Sequence, residues 1–130
     1  MAIKIFGRHR RLVFLLASLL WTVVIFLFST IPGSGLPSNL GFWSNAGHFF
    51  EYLVLGGLLA LTLHHPRRTL WKTAVFAIAI ASLYGASDEF HQLFVDGRCC
   101  DVWDWVTDTL GASVGVLGAA GAILAWRHRK

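Results

Sequence analysis

Residues Leu12 to Ile31 read LVFLLASLLWTVVIFLFSTI, an unbroken run without a charge. A helix rising about 1.5 Å per residue over that length matches the ~30 Å hydrocarbon thickness of a bilayer. This stretch marks a membrane protein, and three further apolar spans are predicted at about 44–63, 70–90 and 103–126. Composition agrees: 55% of the 130 residues are hydrophobic and 14% charged, whereas soluble domains carry about a quarter charged residues. The expected fold class is all-α, an integral membrane four-helix transmembrane bundle forming one domain over 1–130. A cleaved signal peptide is the main rival for the first span. That span is longer than the roughly 7 to 15 apolar residues of a signal segment, and no small-x-small cleavage pattern follows it.

The charges fall on opposite ends of these spans. Lys4, Arg8, Arg10 and Arg11 precede the first, Arg67, Arg68 and Lys72 lie between the second and third, and Arg127, Arg129 and Lys130 end the fourth. The positive-inside rule therefore predicts that both termini and the 2–3 connection are cytoplasmic. The loops Pro32–Asn45 and Asp96–Asp101 then face outward, with Glu51, Asp88, Glu89, Asp96, Asp101, Asp104 and Asp108 toward that side. Trp43, Trp103 and Trp105 are expected at the outer interface, Trp71 and Trp126 at the inner one, and Trp21 near mid-span. The net charge of +4 is thereby explained by topology, and no nucleic-acid partner is expected. Cys99 and Cys100 are adjacent in an outer loop, where a mutual bridge would strain the peptide between them.

Periodicity turns the acidic half into a candidate site. In the fourth span Asp104, Asp108, Gly111, Gly115, Gly118 and Ala122 recur on one helical face. Gly111-x-x-x-Gly115 permits close backbone approach, either within the bundle or in a homo-oligomer. In the third span Ala74, Ala77, Ala81, Tyr84 and Asp88 repeat that arrangement; in the second, His48, Glu51 and Tyr52 meet at i, i+3 and i+4 above Gly56. Three spans thus offer polar groups to a common outer-leaflet cavity.

Each group has both a functional and a structural reading. Glu51 lies about 10 Å inside its helix, where a lone carboxylate needs a partner, a proton or a wet pocket. It is the candidate general base. Asp88-x-x-His91 has the spacing of carboxylate–histidine metal pairs in bundles, although His91 and Gln92 also suit buried hydrogen bonding. Asp101 is expected to cap the fourth helix. Asp104 and Asp108, like charges at i and i+4, call for a cation or a proton between them. Arg98, the sole outer base, is expected to pair with Asp104 or to hold an anionic head group.

The catalytic set, in an enzyme, is Glu51, Asp88 and His91. The ligand-binding set is His48, Tyr52, Glu89, Gln92, Arg98 and Asp104, and the metal set Asp88, His91, Asp104 and Asp108, for Zn²⁺, Mn²⁺ or Ca²⁺. No Walker loop, nucleophile elbow or H-E-x-x-H is present.

These residues resemble the VanZ-like family of small membrane proteins, named for an accessory protein of glycopeptide (teicoplanin) resistance in bacteria. Phe28-Ser29-Thr30-Ile31-Pro32 resembles the end of the family's first helix, and His48-Phe49-Phe50-Glu51-Tyr52 its H-x-x-x-Y. Asp88-Glu89-Phe90-His91-Gln92 is similar to its D-E-x-H-Q, followed by Arg98, Asp104, Gly111 and Gly115. Asn45 stands where a Lys is common and Asp108 where an Asn is common; both departures favour a cation over an anion. The resemblance implies a multi-pass protein of the bacterial plasma (inner) membrane, its polar site extracytoplasmic, connected with the cell envelope and antibiotic resistance. Its expected partners are membrane lipids and a lipoglycopeptide or lipid-linked cell-wall precursor. Three functions stay open: binding such an amphiphile, metal-dependent chemistry on a lipid-linked substrate, and proton-coupled permeation.

Overall fold

The computed structural model describes the backbone of residues 2–35 and 41–129 and the side chains of 9–34 and 45–129. Four α-helices, α1 (Ala2–Ser29), α2 (Gly41–Leu63), α3 (Leu70–Gln92) and α4 (Val102–His128), account for nearly all of it, with a 3₁₀ turn at Gly33–Gly35. Each helix is long and apolar enough to cross a membrane. Their outer surfaces display large apolar side chains, among them Leu20, Leu83 and Leu117, each about two-thirds or more exposed. Water would not tolerate so much apolar surface; lipid does. The expected four-span, all-α bundle is the observed one. The second helix starts at Gly41 rather than at about 44, so the first loop is shorter than expected.

Helices α2 and α4 pack most extensively, through glycine. A Cβ added at Gly56 would collide with the Ala112 carbonyl, at Gly111 with that of Phe49, and at Gly115 with that of Leu53. Backbone therefore meets backbone, which maximises dispersion contact where lipid offers no hydrophobic drive. The expected small-residue stripe of α4 holds through Gly115 and then turns. Val116 and Ala119 are buried, whereas Gly118 and Ala122 are exposed, because the packed side of α4 follows its contact with α2 and α3. Ala60, Ala77, Val116 and Ala119 form an apolar core in the half nearer the chain ends.

Helix α1 docks differently. It packs on α2 and slightly on α3, burying Ser18, Ile25 and Ser29. Trp21 Nε1 donates to the Glu51 carbonyl at 2.8 Å, and Tyr84 Oη donates to the Thr22 carbonyl at 2.6 Å. Trp21 is thus a bundle residue rather than a lipid-facing one. Trp71, Trp103 and Trp126 are exposed, as interfacial tryptophans are, and the Trp43 side chain lies outside the described residues.

Basic groups gather at one end. Arg11 Nε donates to the Thr62 carbonyl at 3.4 Å, and the Arg10 guanidinium sits 5.7 Å from the Trp126 ring centroid. A shallow concavity of about 540 Å³, lined by Arg11, His65, Arg67, Arg68, Thr69 and Lys72, opens there. The imidazole of His64 is held below its ordinary range, first by burial and then by Arg127 and Arg11.

Candidate functional site

The acidic residues meet at the opposite end, where α2 begins, α3 ends and α4 begins. The α3–α4 connection is tightly made. The Asp101 carboxylate accepts from Trp103 N at 2.8 Å and caps α4, as the sequence predicts. The Asp101 N–H donates to Glu89 Oε2 at 2.9 Å, fixing the last turn of α3 against the first of α4. Gly97 carries a φ of +72° and lies against Gly33, whose N–H donates to the Asp96 carbonyl at 2.9 Å. A side chain at Gly97 would be strained by that φ, and a Cβ at Gly33 would collide with the Gly97 carbonyl.

At the centre is His48, buried like Glu89 and Asp108. Its Nδ1 lies 3.0 Å from Asp108 Oδ1, while Nε2 faces Asp104 Oδ2 at 4.0 Å. An ionised carboxylate only accepts hydrogen bonds, so Nδ1 carries the proton toward Asp108. Ligand-type atoms of His48, Glu89 and Asp104 lie within 4.8 Å of one another. Asp104 and Asp108, which the sequence shows as an unfavourable pair, thus flank one imidazole from its two nitrogens.

Beside this group lies a second set. Tyr52 is fully buried, and its hydroxyl has no hydrogen-bond partner among the described residues; the same holds for Asp88 Oδ1 and Asp108 Oδ2. Gly85 makes room for them: a Cβ there would stand 3.1 Å from Asp108 Oδ2 and 3.3 Å from the Tyr52 ring. Gln92 Nε2 reaches Asp88 Oδ2 at 3.4 Å and Glu89 Oε1 at 3.5 Å, both at the long limit of a hydrogen bond. Glu51 lies within electrostatic reach of His48, Asp88 and Asp108.

Two expected members stand apart. The His91 ring packs on Phe26 of α1, centroids 4.7 Å apart, and the expected metal set of Asp88, His91, Asp104 and Asp108 is not the one whose ligand atoms converge among the described residues. Among the described residues, the convergent His–carboxylate set is His48, Glu89 and Asp104. Arg98 Nε donates to the Ile31 carbonyl at 3.2 Å and Nη2 to that of Phe28 at 3.4 Å. It is therefore a clamp on the carbonyl end of α1; it makes no ion pair with Asp104 among the described residues. Cys99 and Cys100 are free and exposed.

Sequence reasoning missed Gly85 and underused Glu89. The signal for Gly85 was present, since it precedes Asp88 by three residues and so lies beneath it on α3. Glu89 lies off the Asp88 face, and only the α3–α4 turn brings it back to His48.

A family model described as VanZ/LLP1 matches residues 14–125, which include every polar residue of the cluster. The chain belongs to the VanZ/LLP1 family. It is a multi-pass membrane member of that family, and no curated protein or solved structure matches it significantly.

Proposed function

We propose that the acidic end of this VanZ-family bundle binds the polar part of an amphiphile, a lipoglycopeptide or a lipid-linked cell-wall intermediate. The amphiphile is presented from the outer leaflet of a bacterial plasma membrane, with both chain termini cytoplasmic. One observation carries the reading: the Tyr52 hydroxyl, Asp88 Oδ1 and Asp108 Oδ2, from three different helices, are buried close together without partners among the described residues. Leaving such a group unpaired costs about 1–3 kcal/mol, so three together are best explained by a ligand that pairs them. Carboxylates outnumber bases here, and Arg98 is engaged with α1 carbonyls. The recognised group is then hydroxyl- or amine-bearing rather than a phosphate. Trp103 and Trp105, partly exposed on α4, suit the apolar part of the same molecule.

The test is binding of a lipoglycopeptide to protein reconstituted in lipid nanodiscs. Asp88→Asn and Tyr52→Phe keep side-chain shape, and each is expected to weaken binding by about 10-fold, the worth of one hydrogen bond to a charged or buried group. Unchanged binding in both folded variants overturns the reading.

A second reading is a metal-dependent enzyme acting on a lipid-linked envelope substrate. It is favoured by Glu51, whose carboxylate receives no hydrogen bond from a described residue and lies within electrostatic reach of His48. Such a carboxylate suits a general base. Turnover of a lipid-linked substrate, lost in Glu51→Gln, is expected on that reading, and its absence in the unaltered protein excludes it. The permease reading has no comparable support, because the interior continues as Ala60, Ala77 and Val116.

A further inference from the structure

The His48 imidazole is buried and lies between two carboxylates. It is 7% exposed, and Asp108 holds it by Nδ1 at 3.0 Å. Its other nitrogen makes no hydrogen bond with a described residue, facing Asp104 Oδ2 at 4.0 Å, too far for one. With the proton on Nδ1, Nε2 presents a lone pair toward two carboxylates. Three acceptors so arranged repel one another unless a proton or a cation lies among them, and a bound metal ion would take that place.

The remaining geometry is that of a ligand set. Glu89 is oriented by the Asp101 N–H on Oε2 at 2.9 Å, leaving Oε1 with only the long contact to Gln92 at 3.5 Å. The three ligand atoms lie within 4.8 Å of one another. Two ligands on one tetrahedral zinc ion stand roughly 3.4 Å apart, given bonds of about 2.0–2.2 Å, so small side-chain rotations close the set. The three groups come from α2, α3 and α4, which a shared ion would tie together.

We propose that His48, Glu89 and Asp104 bind one divalent transition-metal ion of the zinc class, with Asp108 orienting His48 from behind. A carboxylate on the far nitrogen of a ligating histidine fixes its tautomer and raises its basicity, and this is the position Asp108 holds. One nitrogen and two oxygen donors suit zinc or manganese; calcium prefers six to eight oxygens. Three protein ligands leave a coordination position open, as catalytic rather than structural sites do. The inference shares a region with the amphiphile site but does not depend on it.

The experiment uses full-length protein in detergent, stripped by chelator and titrated with Zn²⁺ or Mn²⁺ alone, with bound metal counted by mass spectrometry. One ion per chain is expected. Glu89→Gln, close in shape to the native residue, and His48→Ala should each weaken binding by at least about 100-fold, and Asp108→Asn by about 10- to 100-fold at unchanged stoichiometry. His91→Ala, whose ring faces Phe26, should bind as the unaltered protein does. Size-exclusion profiles identify folded variants; if His48→Ala does not fold, Glu89→Gln decides. The proposal is overturned if the stripped protein takes up no stoichiometric zinc or manganese, if folded Glu89→Gln binds normally, or if His91→Ala loses the ion as completely as Glu89→Gln. Asp88→Asn separates the two readings: it should weaken amphiphile binding by about 10-fold and keep the ion. A protein that binds metal but no amphiphile refutes only the earlier reading.

Discussion

Helices α2 and α4 meet backbone to backbone, whereas α1 meets the bundle through side chains, with Ile25 in the core beside Tyr52 and Leu55 and hydrogen bonds running from side chains to carbonyls. The first contact is dense and unforgiving, since carbonyls of Phe49, Leu53 and Ala112 occupy the space that a Cβ on the facing glycine would need. The second is distributed over Trp21, Tyr84 and Arg98, each donating to a carbonyl. The difference assigns the two regions separate duties. The glycine seam sets the separation of His48 and Asp108, which lie on opposite sides of it, while α1 covers α2 and α3 beside Trp21 and Tyr84.

Substitutions can break this contrast. Gly115→Leu should be the most damaging, because the added side chain meets the Leu53 carbonyl with no flexible group to yield. A loss above about 4 kcal/mol is expected, read as failure to yield a monodisperse helical species in detergent. Arg98→Ala comes next. It removes two charge-assisted donors from the carbonyl end of α1, a loss of about 1.5–3 kcal/mol. Hydrogen exchange should rise around Phe28 and Ile31 while zinc stoichiometry stays unchanged, and a parallel loss of zinc would show that α1 and the seam are not independent. Trp21→Phe should cost about 1 kcal/mol, seen as a lowered thermal midpoint. Gly118→Leu should have the smallest effect, within about 0.5 kcal/mol, since nothing lies within 4 Å of the added Cβ. If it destabilises instead, that face of α4 is packed against another molecule, as a homo-oligomer through the α4 glycines would require.

Much of the architecture was legible in the linear order. The Leu12–Ile31 run and the alternation of basic and acidic span ends suffice for four antiparallel helices, because a bilayer demands about twenty apolar residues per crossing and forbids unpaired backbone inside it. Asp101 as a cap and Gly111 and Gly115 as a close-packing pair were equally legible, since both follow from local geometry. The convergence of His48 with Asp104 and Asp108 was visible as three polar faces, but their partners were not. Arg98 illustrates the reason: its charge suggests an anion or Asp104, yet the carbonyls of Phe28 and Ile31 are nearer once α1 has docked.

Sequence alone determined the number of spans, their alternation and the gathering of acids at one end, because these depend on hydropathy and on the 3.6-residue period. Only tertiary structure decided that Glu89 rather than His91 joins His48, that Trp21 ties α1 to α2, and that the glycine stripe of α4 leaves the interface after Gly115. Those outcomes depend on helix rotation and on the α3–α4 turn, which are set by packing against distant residues. Periodicity places a side chain on a face; which face meets which neighbour is a property of the assembled bundle.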